Sequence, residues 1–167
     1  MLDCGVRTIS LTKGMVALVD EDDYHVLVLR KWFIAKPGAW PYAATHRLGT
    51  RNGVDLMHRM LTGAQRGQYV DHINGNSLDN RMSNLRVCTN AENLRNMRPR
   101  NGGTSKFKGV YWNVRDKRWR AQIMHNYKKL NLGNYESEEE AGRAYDEAAL
   151  RLFGQFARLN FPVEVTT

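Results

Sequence analysis

The stretch YVDHINGNSLDNRMSNLRVCTNAENLRN, from Tyr69 to Asn96, constrains the local fold more tightly than any other part of the chain. It sets Asp71 and His72 side by side and follows them with a Gly-centred turn and a run of asparagines. Asparagine favours turns and caps and works against helix and strand interiors. The spacing predicts a short strand at Tyr69–His72, a turn at Asn74-Gly75-Asn76, and a loop through SLDNRMSN. A second strand follows at Leu85–Cys88. Thr89 or Asn90 then caps a short helix over Ala91–Asn96. The order is strand, strand, helix.

Such a unit can carry chemistry. An imidazole at the end of the first strand, His72, has a near-neutral pKa suited to a general base. Asp71 offers a hard carboxylate oxygen suited to Mg²⁺ or Mn²⁺, and Asn93 on the helix could bring an amide oxygen to the same ion. Two protein ligands leave positions for water and phosphate oxygens, as in phosphoryl-transfer sites. Asn84 is placed to hydrogen-bond across the loop. The remaining asparagines read as loop architecture, and a plain structural Asp–His pair is the other reading of residues 71 and 72.

DHINGNSLDNRMSNLRVCTNAEN closely resembles the HNH endonuclease family in its phage and intron-encoded homing branch. The resemblance implies a ββα-metal nuclease core holding one divalent ion, Mg²⁺ or Mn²⁺. His72 is then the first motif residue and activates water, Asn84 is the middle Asn, and Asp71 and Asn93 hold the metal. The third position is Asn here, not His, and an amide oxygen favours Mg²⁺ or Mn²⁺ over zinc. The lead-in LMHRML is also similar to these nucleases, with His58 read as structural or substrate-contacting.

The rest of the 167 residues allows one ordinary domain or two small ones. Residues 1–55 read as strand-rich: TISLTKGMVALVD and YHVLVLRKWF are β-branched and aromatic runs separated by an acidic turn, DEDD. Asn52-Gly53 is a hairpin-turn dipeptide. No apolar run approaches the roughly 20 residues of a membrane span, and Met1–Ser10 lacks a secretory pattern. Cys4 and Cys88 form no C-x-x-C pair, which argues against a cysteine zinc site. An intracellular protein is expected, in the cytoplasm of a bacterial or phage-infected cell. Residues 56–97 are assigned to the nuclease motif, and RPRNGGTS (98–105) reads as a linker.

Net charge is +8, and between Arg95 and Lys129 eleven Lys or Arg face a single acid, Asp116. A basic segment of this kind points to a polyanion such as nucleic acid, or simply to a basic surface. In 107–132 apolar and polar residues alternate with the period of strands. Val110, Trp112, Trp119, Ala121, Ile123, Leu130 and Leu132 are expected on one face. Tyr111, Asn113, Arg115, Arg118, Arg120, Gln122, Met124, Lys129 and Asn131 are expected on the other, where Arg, Lys, Gln and Asn suit contact with DNA. SEEEAGRAYDEAALRLFG reads as one helix with Ser137 and Glu140 at capping-box spacing and Gly154 at its end. Ala141, Ala144, Tyr145, Ala148 and Leu152 share its core face.

SKFKGVYWNVRDKRWRAQI and LNLGNYESEEEAGRAYDEAALRLFGQFARLNFP resemble the plant ethylene-response-factor (APETALA-type) DNA-binding domain. That resemblance covers residues 106–163 and implies a three-stranded antiparallel sheet packed on one helix, with the sheet reading DNA. Gln122, Met124 and Asn131 stand where Glu, Arg and Trp are typical, so a DNA sequence preference does not carry over.

An α+β chain is therefore expected: a strand-rich N-terminal region, a ββα-metal core, then a sheet on a helix. The expected activity is hydrolysis of phosphodiester bonds in double-stranded DNA. A monomer with one site should nick; a double-strand break needs a homodimer or two events. The alternatives are a sequence-specific DNA-binding regulator with a non-catalytic HNH remnant, and an RNA-binding sheet, which Tyr111 alone supports weakly.

Overall fold

The computed structural model describes residues 5–36, 40–97 and 102–161. The chain divides into two compact units, Met1–Asn93 and Leu94–Thr167. Both are mixed α and β.

In the first unit, β1 (Val6–Ser10) and β2 (Val16–Asp20) form an antiparallel hairpin. The next segment corrects the sequence reading. Glu21–Leu27, expected as an acidic turn entering a strand, is a helix, α1. Glu21, Asp22 and Asp23 fill its first turn, where the exposed backbone N–H groups favour negative charge. Tyr24 and Leu27, three residues apart, pack on the core, whereas Val26, Val28 and Leu29 stay exposed. The Trp32 indole Nε1–H donates to the Leu27 carbonyl at 2.7 Å near the helix end. A β-branched run thus became helix because its apolar residues match a three-residue spacing.

β3 (Phe33–Ala35), β4 (Tyr42–His46) and β5 (Val54–Leu56) make an antiparallel sheet with β4 in the centre. Helix α2 (Met57–Thr62) follows directly, ending at Gly63 with φ 62°. β6 (Tyr69–His72) and β7 (Leu85–Cys88) pair antiparallel, and α3 (Asn90–Asn96) closes the motif. Thr89 and Glu92 exchange capping hydrogen bonds at its start.

One core joins the N-terminal elements to the nuclease motif. Ile9, Ala17, Val19, Leu27, Trp32, Ile34, Ala43 and Met57 pack with Leu78, which comes from the asparagine-rich loop. The same loop is hydrogen-bonded to β2: Leu18 N–H donates to the Leu78 carbonyl and Asn80 N–H to the Leu18 carbonyl, both at 2.8 Å. Met82 N–H donates to the Asp20 carboxylate at 2.7 Å, and the Ser77 hydroxyl to the Pro41 carbonyl at 2.6 Å. Residues 1–55 carried no motif that assigned them a role. The described part of them forms the platform on which the asparagine-rich loop is fixed.

In the second unit β8 (Val110–Asn113), β9 (Arg118–His125) and β10 (Lys128–Tyr135) form an antiparallel sheet with β9 in the middle, packed on α4 (Glu138–Phe153). Ser137 and Glu140 make the expected capping box. Ala141, Tyr145 and Ala148 are buried as expected, Ala144 and Leu152 only partly, and Ala149 and Phe153 extend the stripe. Asp146, also buried, accepts the Asn160 and Phe161 N–H groups at 2.8 Å and so fastens the C-terminal segment to the helix.

β10 is bulged. Asn131 pairs with Gln122 but Gly133 pairs with Ala121, leaving Leu132 as the extra residue. Beyond the bulge the alternation shifts by one, so Asn134 lies opposite Arg120 on the exposed face.

Candidate functional site

Strand β6 ends by presenting Asp71 and His72 side by side, both buried at 5% and 7% exposure. Antiparallel register sets Asp71 opposite Arg86 and His72 opposite Leu85. Arg86 donates from two nitrogens to one Asp71 oxygen, Nε at 2.8 Å and a terminal nitrogen at 2.5 Å. Arg86 was missed by the sequence reading. The two predicted strands, once paired antiparallel from His72 against Leu85, would have placed it there.

Burial pushes the His72 imidazole below its ordinary pKa, against the opposing effects of the Asn80 side chain and the Asp71 and Asp79 carboxylates. A neutral ring is the form that can accept a proton. Two aromatic side chains hold its environment. His58 from α2 meets it edge to face with ring centroids 5.2 Å apart, and Tyr42 from β4 packs 5.1 Å from His58 and 6.3 Å from His72. Burial first, then His72 and Arg59, push His58 down to about 3. His58 is therefore a neutral buried ring packed against the candidate base, and its Nδ1 has no hydrogen-bond partner among the described residues.

Asparagines shape the loop between the strands. Asn74 accepts the Asn76 N–H at 2.8 Å, and Asn76 accepts the Leu78 N–H at 3.1 Å. Asn84 accepts the Asn74 N–H at 2.9 Å and donates to the Asp79 carbonyl at 2.8 Å, clamping the two ends of the loop together. Asp79, almost wholly buried, is paired with Arg81 at 2.7 Å and accepts from the Asn74 amide. These bonds hold its carboxyl below the usual carboxylate range. Asp79 and Asn80 had no role in the sequence reading beyond loop residues.

Asp71 and Asn93 both lie close to Cys88. Burial, then the Asp71 and Glu92 carboxylates, raise this thiol to about 11, opposed by Arg86 and by a hydrogen bond with the Asn93 backbone. A thiol with that pKa stays protonated at neutral pH and is a poor metal ligand. Of Asn93, it is the backbone that reaches Cys88, while the Asp71 carboxylate is held by Arg86. Among the described residues no group of three or more His, Cys, Asp or Glu converges as a metal site.

On the outer face of the C-terminal sheet, Tyr111, Arg120 and Asn134 form one cross-strand row, Gln122 and Asn131 a second, Met124 and Lys129 a third, and Asn113 faces Arg118; Tyr111, Arg120, Gln122 and Asn113 are half-buried and the others exposed. Asn134 is a member the alternation missed, because the bulge hides it. Arg115 lies in the β8–β9 turn rather than on a strand. Arg118 is ion-paired to Glu136 at 3.3 Å and Arg120 to Asp116 at 2.9 Å, and Arg120 also donates to Asn134 at 2.8 Å.

Comparison with known proteins gives the same two parts in the same order. The family model for HNH endonuclease matches residues 60–95, and that for the AP2 domain matches residues 105–155. An uncharacterized HNH endonuclease of Acanthamoeba polyphaga mimivirus is 32% identical over 150 residues, covering 89% of this chain and 76% of that protein. Protein 3.8 of Escherichia phage T7 is 34% identical over 93 residues, covering 56% of this chain and 76% of its own length. The ethylene-responsive transcription factor ERN1 of Lotus japonicus is 45% identical over 71 residues, 41% of this chain but only 26% of the plant protein. A relative matched across most of both chains makes this chain a member of the HNH endonuclease family, and an AP2 domain match follows its nuclease motif.

Proposed function

We propose that this protein is a DNA endonuclease of homing or mobile-element type that nicks double-stranded DNA. The observation that carries the reading is His72, a buried imidazole kept neutral beside Asp71 and locked by the Asn84-clamped loop. In this reading the His72 ring takes a proton from a water lined up on the scissile phosphate. His58 and Tyr42 keep that ring from swinging, and Asn84 fixes the loop at whose start it stands. Asp71 and Asn93 are the oxygen donors that would hold Mg²⁺ or Mn²⁺, whose chemistry when bound is neutralisation of charge developing on the phosphate. Duplex DNA is bound by the AP2 sheet through Tyr111, Asn113, Arg115, Arg118, Arg120, Gln122, Lys129 and Asn131, with Asn134 added. One site per chain implies one cut per monomer. No helix among the described residues is long and apolar enough to cross a membrane, and the viral relatives fit action inside an infected cell.

One observation favours a second reading, a DNA-binding regulator with a silent nuclease motif. Arg86 already neutralises the Asp71 carboxylate. A supercoiled plasmid carrying the source genome's neighbouring DNA separates the two. Open circles that form only with Mg²⁺ or Mn²⁺, and fall by at least about a hundredfold with His72→Ala while binding persists, support the nickase. Linear product points to paired action. Binding without metal-dependent cleavage supports the regulator.

A further inference from the structure

The turn joining β9 to β10 breaks a local rule. His125 pairs with Lys128, so Asn126 and Tyr127 alone make the connection. Both have positive φ, 47° and 62°. A two-residue hairpin of this kind favours Asn followed by Gly, because the second residue must sit in the left-handed region. Here a tyrosine occupies the glycine position, and a bulky residue in that region is an outlier. The ring gains no packing in exchange, since Tyr127 is fully exposed to solvent. Backbone outliers held without a folding benefit gather at binding sites.

Charge points the same way. Lys128 and Lys129 follow directly, are exposed, and have no ion-pair partner among the described residues. By contrast Arg118 and Arg120 are tied to Glu136 and Asp116. The hairpin tip therefore carries unneutralised cations and an unpacked aromatic ring together. It is also continuous with the exposed face, because Met124 and Lys129 form the cross-strand pair next to the His125–Lys128 pair that borders the turn.

We propose that this tip is a DNA contact in addition to the sheet face, with Tyr127 lying against the sugar–phosphate wall of the groove. Its phenol donates to a phosphate oxygen, and Lys128 and Lys129 neutralise neighbouring phosphates. A duplex is the partner, because a single aromatic ring offers no platform on which successive unpaired bases could stack. The inference rests on the reading of the sheet as the DNA-binding face.

The test uses the full chain and a fluorescent duplex from the source genome's neighbouring DNA. Glycine suits the left-handed turn, so Tyr127→Gly should leave Tm unchanged or raise it by up to about 5 °C. Its affinity for the duplex should nevertheless fall about tenfold, the scale of one lost hydrogen bond to a charged phosphate. Tyr127→Phe should retain part of the affinity, since it loses only the hydroxyl. A fall in affinity without a fall in Tm is what a merely structural role cannot give. Unchanged affinity in Tyr127→Gly, with wild type binding well, overturns the tip contact and leaves the sheet reading intact. A parallel fall in Tm and affinity also overturns it, as does preference for single-stranded DNA or RNA. Failure of the wild type to bind any duplex removes the sheet reading, and the tip contact with it.

Discussion

His58 refuses a proton that the unfolded chain would accept. Burial, His72 and Arg59 hold its pKa near 3, against an ordinary value of 6.5, and Tyr42 is the other ring facing it. Above about pH 6.5 the ring is neutral whether folded or not, and no penalty arises. Below that, the unfolded chain gains a proton and the folded one does not, so stability falls as pH drops toward 3. Between pH 7 and 5 His58 alone accounts for about 2 kcal/mol. Urea unfolding at the two pH values should show this loss, and His58→Phe should flatten it, leaving a share to His72, which is shifted the same way. Equal stability at both pH values in the wild type would contradict the buried neutral pair. At this scale the sequence was informative where a residue type has few uses. Asp71, His72 and Asn84 were singled out through the order of their motif, and the structure places Asp71 and His72 buried at the end of β6 and Asn84 across the loop. Tyr42 was not singled out, because it reaches the imidazoles from another sheet and looks like any strand tyrosine.

Gly109 shows what the second unit asks of its backbone. It has φ 76°, and a Cβ there would lie 2.1 Å from the Tyr145 ring and 2.6 Å from the Gln122 carbonyl oxygen. Gly109 thus lets β8 close on both β9 and α4. Gly109→Ala combines left-handed strain with a clash against buried groups and should cost more than about 3 kcal/mol. Thermal unfolding should then show the sheet–helix unit melting far below wild type; a shift of only a degree or two would mean the contact relaxes cheaply. The elements themselves were readable in proportion to how local their causes are. The β6 and β7 bounds and the α4 capping box follow from neighbouring residues and were found. Helix α1 was missed because its β-branched residues read as strand, while the acids that stabilise its first turn read as a turn. The β10 bulge was missed because one inserted residue, Leu132, leaves the alternation on either side looking regular.

Across the whole chain the charge is +8, yet the cations differ in availability. Those with carboxylate partners must exchange one anion for another on binding DNA, whereas a free lysine releases only counterions from the phosphates. Lys129→Ala should therefore weaken duplex binding and lower the slope of log K against log salt by about 1, which a titration from low to moderate salt would measure. An unchanged slope would remove Lys129 from the phosphate contacts. At this scale the two-part architecture was legible, because each part carries its own dense motif. The dependence of the nuclease loop on the N-terminal strands was not, because it runs through the Leu18 N–H and C=O, which every residue possesses and no motif records. That dependence limits how such chains can be recombined. A cassette cut at residue 56 would carry Asp71, His72, Asn84 and Asn93 intact yet leave behind Leu18, Asp20 and Pro41, the partners that seat the loop. Transplanted into a foreign chain, the motif would keep its spelling and lose its footing.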